Sequence, residues 1–314
     1  MTHHVGIIGL GIMGQRMLGN MGLHNEFDVV SVFDPQQAVP DVSYADSAVD
    51  LINNPDVDLV YIACPPDYHA EYAIAAANAG KPVFCEKPLG VDVSQSRELV
   101  EQIEKSGVPN AVNFSFAANP ARAFLKARLA DGNFGNIDAI DIRLHFSSWP
   151  RGWQDAATWL AERKQGGYVR EVLSHFVYLS ESIFGDLKLE DAIVRYPDGP
   201  GGVAAETQMF ANLSCGDIPV SVAGGVGGTG PDRVEYTVWG QTQSCRLDDW
   251  YTVNLSDGSG WVPAMTEIDD PRQVGRVKQL DHLAAFMRGE SHELPDFRAA
   301  LSVQEIIEGI LRGG

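Results

Sequence analysis

The chain has 314 residues, 45% of them hydrophobic, with four cysteines and a formal net charge of −19. The apolar content suffices for a sizeable core and the length suits two domains. Such an acidic chain repels nucleic acid and anionic membrane, and no apolar run reaches the length of a membrane span.

Predicted structure starts almost at the first residue, so no leader is expected and the cytoplasm is the expected location. Cys64, Cys85, Cys215 and Cys245 form no CxxC pair and read as reduced core thiols, with one disulfide as the alternative. The first motif is VGIIGLGIMG, an apolar strand that runs into Gly9, Gly11, Ile12, Met13 and Gly14. In a GxGxxG loop the first glycine makes a tight turn. The second lets a pyrophosphate approach the backbone, and the third lets the following helix pack closely. A helix over Met13–Met21 and a strand over Phe27–Phe33 follow, closed by Asp34, which lies 20 residues past Gly14. A carboxylate there accepts from the adenosine ribose hydroxyls and repels a 2′-phosphate. Pro35, Gln36 and Gln37 offer no positive charge to offset that repulsion. NAD is therefore expected rather than NADP. The rival reading is a glycine-rich turn in some other α/β domain.

A short helix is expected over Tyr44–Asn53, then a continuous apolar strand over Asp58–Ala63, the pattern of a parallel strand covered on both sides. Ligands of open parallel sheets sit at the carboxyl ends of strands, which places Cys64, Pro65 and Pro66 along a cofactor cleft. His69 opens an alanine-rich helix that ends at Gly80, either as a polar contact to the cofactor or as a solvated or capping histidine. KPVFCEKP supplies another buried strand, with Glu86 and Lys87 at its carboxyl end before Pro88. A lysine so held polarises a substrate oxygen and exchanges its proton, given a lowered pKa. The alternative is a plain ion pair with Glu86. Ser94–Ser106 reads as a helix and Ala111–Phe116 as a sixth strand. Asn119 and Pro120 mark a crossing, giving domains over 1–120 and 121–314. Pro120–Ala130 reads as a helix.

The periodicity then changes. Ile140, Ile142, Leu144 and Phe146 alternate with polar residues over Ile137–Phe146, the pattern of a half-buried strand. Leu187–Tyr196, Val203–Leu213, Ile218–Ala223, Val234–Trp239 and Ser244–Leu247 are further strands, with turns over Pro197–Gly202 and Gly224–Gly230. The expectation is a largely antiparallel sheet with one face in water. An insert carries Trp149, Arg151, Trp153 and Trp159; flat indoles suit sugar C–H surfaces or an apolar interface. In a helix over Tyr168–Phe184, Glu171 and His175 are four apart and share a face. They read as a proton relay or a structural ion pair. No metal is expected, because only two ligands are local. Arg170, one step off that face, reads either as solvent-facing or, with Arg151, as a partner for a substrate carboxylate. Val274–Met287 and Ala299–Leu311 are cover helices.

GLGIMG, CPPDYH, CEKPL at Cys85–Leu89, and GGYVREVLSHFVYLSESIFG at Gly166–Gly185 resemble the motifs of the glucose–fructose oxidoreductase and inositol dehydrogenase superfamily, the Gfo/Idh/MocA family. The resemblance implies an N-terminal Rossmann dinucleotide-binding domain and a C-terminal α/β domain with a largely antiparallel sheet. It implies an NAD(P)-dependent dehydrogenase or reductase that moves hydride between nicotinamide and a secondary alcohol carbon of a sugar, sugar derivative or cyclitol. Lys87 maps to the usual catalytic group and His175 to the usual acid/base. Glu171 replaces the usual aspartate, and Ala117 and Ala118 stand where a polar residue is common. Lys87, Trp149, Arg151, Trp153, Glu171 and His175 are the expected substrate contacts, with Glu86 and Lys87 also touching the cofactor. A homodimer or homotetramer through the open sheet face is implied. The alternatives are imine, amino-sugar or diol chemistry, non-redox glycoside chemistry through a transient oxidation, or a non-enzymatic ligand sensor.

Overall fold

A computed structural model describes residues 2–199 and 201–313. The chain divides into two compact units. One is the chain up to Ala117 together with Arg276–Gln304; the other is Ala118–Gly275 together with the chain from Glu305.

In the first unit, β1 (His3–Ile8) leads into α1 (Ile12–Met21), followed by β2 (Phe27–Phe33), α2 (Ala48–Asn53), β3 (Leu59–Ile62), α3 (His69–Asn78), β4 (Val83–Glu86), α4 (Val93–Ser106) and β5 (Asn110–Asn113). The strands form one all-parallel sheet in the order β2-β1-β3-β4-β5. Every residue of β3 and β4 is buried, as the apolar runs Leu59–Ile62 and Val83–Cys85 require, with Glu86 closing β4. The order reverses direction between β1 and β3, so the sheet opens a crevice at the carboxyl ends of those two strands. Two expectations are corrected. The second helix starts at Ala48, because the Ser47 hydroxyl accepts from Asp50 N–H and caps it there. The strand read as the sixth is the fifth and stops at Asn113. Phe114 N–H turns back to Val112 O and Ala117 N–H to Phe114 O, which takes those donors out of any ladder.

The second unit holds α5 (Pro120–Ala130), β6 (Ile137–Phe146), α6 (Ser174–Phe184), β7 (Leu187–Arg195), β8 (Gln208–Cys215), β9 (Ile218–Val226), β10 (Arg233–Gly240), β11 (Ser244–Asp248), β12 (Thr252–Ser256) and β13 (Val262–Pro263). Its eight strands run β13-β12-β11-β10-β6-β9-β8-β7, antiparallel except for the β6–β9 pair. Ile140, Ile142, Leu144 and Phe146 are buried on one face. β9 runs through Gly224, which the sequence reading placed in a turn. Glycine is needed there for space: a Cβ would stand 2.6 Å from the Tyr168 ring. The helix expected over Tyr168–Phe184 is not uniform: Val169–Leu173 forms a π-helical turn that feeds α6. Two last helices, α7 (Pro271–Met287) and α8 (Phe297–Arg312), each cross the boundary between the units. Between them, Val112 N–H bonds Pro295 O and Phe297 N–H bonds the Asn110 side chain, so this return segment completes the first unit. A boundary drawn once along the chain misses it.

Among the described residues, no helix is long and apolar enough to cross a membrane and no three His, Cys, Asp or Glu side chains group as a metal site. The four cysteines are free.

Candidate active site

The glycine loop follows β1. Gly9 has φ +97°, and a Cβ there would stand 2.5 Å from Cys64 N. At Gly14 a Cβ would overlap the Gly9 carbonyl oxygen. Around Gly11, by contrast, nothing lies within 4 Å of a Cβ position, and no side chain caps α1. The first N–H groups of the helix therefore face open space. Ile12 and Met13 form its half-buried first turn. Asp34 is fixed in place: Oδ2 accepts from Leu10 N–H at 2.6 Å, and Oδ1 accepts from Gln36 and Gln37 N–H at 2.8 Å each. Oδ2, with one donor, keeps a further lone pair for a ribose hydroxyl. The open approach at Gly11, the uncapped helix and the oriented carboxylate fit a dinucleotide.

Cys64, Pro65 and Pro66 follow β3. Burial pushes the Cys64 thiol up to about 12, so it stays protonated and inert. His69 differs from both sequence readings. It is fully buried, with Nδ1 2.9 Å from Pro88 O and Nε2 2.9 Å from Cys64 O. Neither nitrogen is left for a cofactor or for water. The ring instead ties the loop after β3 to the Glu-Lys-Pro turn after β4. Burial lowers its pKa against the pull of the two carbonyls, and the neutral ring donates to one of them at a time.

Glu86 is 5% exposed, and its Oε1 accepts from Tyr61 O–H at 2.5 Å and from Asn113 Nδ2 at 2.6 Å. Gln279, from the return segment, donates in turn to Asn113 Oδ1. This buried chain of hydrogen bonds anchors the backbone from which Lys87 projects, and Lys87 itself is half-buried. Burial, and then Glu86, hold the Tyr61 hydroxyl protonated. Tyr61, Asn113 and Gln279 were not singled out from sequence; Asn113 alone carries a signal, as a polar residue at the end of a buried strand.

In the second unit, Arg151, Gln154 and Glu171 form a connected series. Arg151 Nε donates to Gln154 Oε1 at 3.0 Å, and Gln154 Nε2 donates to Glu171 Oε1 at 3.3 Å. The Arg151 guanidinium lies 4.8 Å from the Trp153 ring centroid and 5.4 Å from those of Trp149 and Phe146. Burial pushes its pKa down, with Glu171 opposing. Trp149 is partly spent on packing: Nε1 donates to Leu160 O at 3.0 Å and its ring meets Phe146 and Tyr168. Trp153 remains 53% exposed. Glu171 sits in the π-turn and His175 in the first turn of α6, 6% exposed and edge-on to Trp250 with centroids 5.2 Å apart. π-turns recur at functional sites because they re-aim side chains. Trp250 and Gln154 were also missed from sequence; Trp250 lies in a turn at φ +73°, far along the chain from the helix it meets.

Arg170 corrects an expectation. It is buried, paired through two bonds with Glu308 at 2.6 and 2.9 Å, and its Nη1 donates to Arg163 O and Gly166 O. The π-turn rotates it into the core, where Glu308 of α8 compensates the charge.

Residues 3–114 match the oxidoreductase family model with an NAD-binding Rossmann fold, and residues 126–312 match the same family's C-terminal alpha/beta domain. Levoglucosan dehydrogenase of Pseudarthrobacter phenanthrenivorans is 27% identical over 193 residues, 59% of this chain and 46% of that one. The 1,5-anhydro-D-fructose reductase of Ensifer adhaerens is 28% identical over 169 residues, 53% and 50% of the two chains. The chain thus spans about half the length of the curated relatives it matches. The crystal structure of the WlbA dehydrogenase from Bordetella pertussis, in complex with NADH and UDP-GlcNAcA, superposes with a TM-score of 0.80 at 20% identity, over 99% of this chain and 95% of that one. That likeness is one of fold. With both domains matched in order, and the glycine loop and Glu-Lys-Pro turn where a dinucleotide domain needs them, the chain belongs to the Gfo/Idh/MocA oxidoreductase family and opens with its NAD-binding Rossmann domain.

Proposed function

We propose that the protein is an NAD(H)-dependent oxidoreductase that interconverts a secondary alcohol and a ketone on a sugar, sugar derivative or cyclitol. The observation that carries this reading is Lys87, held at the carboxyl end of a buried strand by the Tyr61–Glu86–Asn113 network, in the same domain as the glycine loop. NAD, when bound, supplies the hydride acceptor and, reduced, the donor. The backbone around Gly9, Gly11, Ile12, Met13 and Gly14 would hold its pyrophosphate and Asp34 its ribose, with Cys64, Pro65, Pro66 and Glu86 shaping the adjoining wall.

The protein's own part is positioning and proton transfer. Lys87 and His175 are assigned to the proton of the reacting oxygen, withdrawn on oxidation and returned on reduction. Glu171, steadied by Gln154, orients His175. Arg151 and Trp153 would contact substrate hydroxyls and C–H surface, with Trp149 behind them. The sugar and anhydrosugar chemistry in the names of the relatives supports the substrate class. Assembly as a homodimer or homotetramer is assigned to the open face of the second sheet, where Ile193 and Phe210 are cross-strand neighbours, 60% and 46% exposed.

The test is a turnover screen with NAD(H) and NADP(H) against neutral sugars, uronic acids, cyclitols and cyclic imines. The expected result is NAD(H)-linked turnover of a sugar or cyclitol. Imine reduction with no sugar or cyclitol turnover would reject the reading.

A further inference from the structure

The second unit contains a cavity of about 680 Å³ whose lining includes Arg163, Arg170, Arg195, Arg312, Tyr196 and Glu308. These residues come from stretches far apart in sequence, which is why no basic cluster is visible along the chain. Four guanidiniums meet a single carboxylate there, in a chain of net charge −19. Glu308 is committed to Arg170 by its two bonds. Arg163 stacks over Tyr196, with its guanidinium carbon 3.2 Å from the ring centroid, and the Tyr196 hydroxyl donates to Leu311 O. Those contacts make a fixed wall. Neither Arg195, the last residue of edge strand β7, nor Arg312, the last of α8, has an ion-pair partner among the described residues.

Of the nearby carboxylates, Asp198 accepts from Val203 and Ala204 N–H and keeps its charge within reach of Arg163, while burial pushes Glu206 toward its neutral form. The remaining positive charge is therefore built against the field of the whole protein, and an anion would relieve it. A phosphate suits it better than a carboxylate. It carries more charge and a third acceptor oxygen, so guanidinium forks from two sides engage it at once. We propose that this cavity is a second binding site, for a small molecule bearing phosphate groups, independent of the dinucleotide domain.

The test is a calorimetric titration of inorganic pyrophosphate into the full chain, with and without NADH, to separate this cavity from the glycine loop. The expected result is saturable binding that persists with NADH, weakens at least about tenfold in Arg195→Ala/Arg312→Ala, and weakens in about 0.3 M salt. Arg195→Lys/Arg312→Lys, which keeps charge but loses the forks, should fall between. Both positions are exposed, and matching circular dichroism would establish that the variants fold. Citrate should bind at least about tenfold more weakly than pyrophosphate. No saturable binding, binding that NADH abolishes, binding unchanged in the double alanine variant, or citrate as tight as pyrophosphate would each overturn the proposal.

Discussion

A lysine on a surface loop explores many rotamers; Lys87 leaves a backbone pinned on one side by Glu86 and on the other by the His69 clamp on Pro88. That pinning makes substitution informative. Lys87→Ala and His175→Ala should each lower turnover by roughly 10²–10⁴ with cofactor affinity nearly unchanged, and Glu171→Gln by about tenfold. Single-turnover hydride transfer at saturating cofactor checks this, and near-wild-type rates in both alanine variants would take them off the proton path. Asp34 sets a second expectation. Three backbone N–H donors hold its carboxylate where a 2′-phosphate would meet it, so NADPH should bind at least about tenfold more weakly than NADH. Fluorescence titration of both cofactors under one buffer decides, and tighter NADPH binding reverses the assignment. Glu171, His175 and Lys87, which carry the proposal, stand out in the sequence because each lies in a short motif. Gln154 and Trp250 were not, because nothing local records which distant side chain they meet.

At the scale of the element, the glycine loop separates folding from binding. A Cβ at Gly14 would overlap the Gly9 carbonyl, so Gly14→Ala should force the turn apart and destabilise the protein by more than ~2 kcal/mol in urea unfolding. A Cβ at Gly11 meets no protein atom, so Gly11→Ala should unfold like the parent yet bind NADH much more weakly. Equal NADH affinity in Gly11→Ala would show that the loop does not cradle the cofactor. Strands with unbroken apolar runs or strict alternation, β3, β4 and β6 above all, were plain in the sequence because burial itself writes that pattern. β12 and β13 were not, being short and placed by pairing, β12 on β11 and β13 on β12, rather than by periodicity of their own. The π-turn was hidden for a related reason: a single wide turn is too short to set up a periodicity of its own.

Across the whole molecule, stability should carry a mark of Glu206. Buried beside Gly167, with Oε1 accepting from Val169 N–H and Oε2 without a hydrogen-bond partner among the described residues, its carboxyl is pushed by burial up to about 7. The folded chain then holds a proton that the unfolded chain has released, so this stabilising contribution is full below the unfolded value near 4.5 and is lost as pH rises through about 7. The shift corresponds to at most about 3 kcal/mol. Urea unfolding at pH 5 and pH 8 should show Glu206→Gln gaining on the parent at the higher pH; parallel pH profiles would remove Glu206 as their source.

The return of Arg276–Gln304 to the first unit also has a bearing on the order of events at the ribosome. β1 to β5 are translated early, yet Asn110, Val112 and Asn113 wait for partners at Phe297, Pro295 and Gln279. Until those arrive, the nascent dinucleotide domain has an unfinished flank, exposed while the whole of the second unit's sheet is being made. A nonsense codon after Gly275 would therefore release a chain whose earliest-made domain lacks that flank and whose second unit lacks the Glu308 that pairs with Arg170.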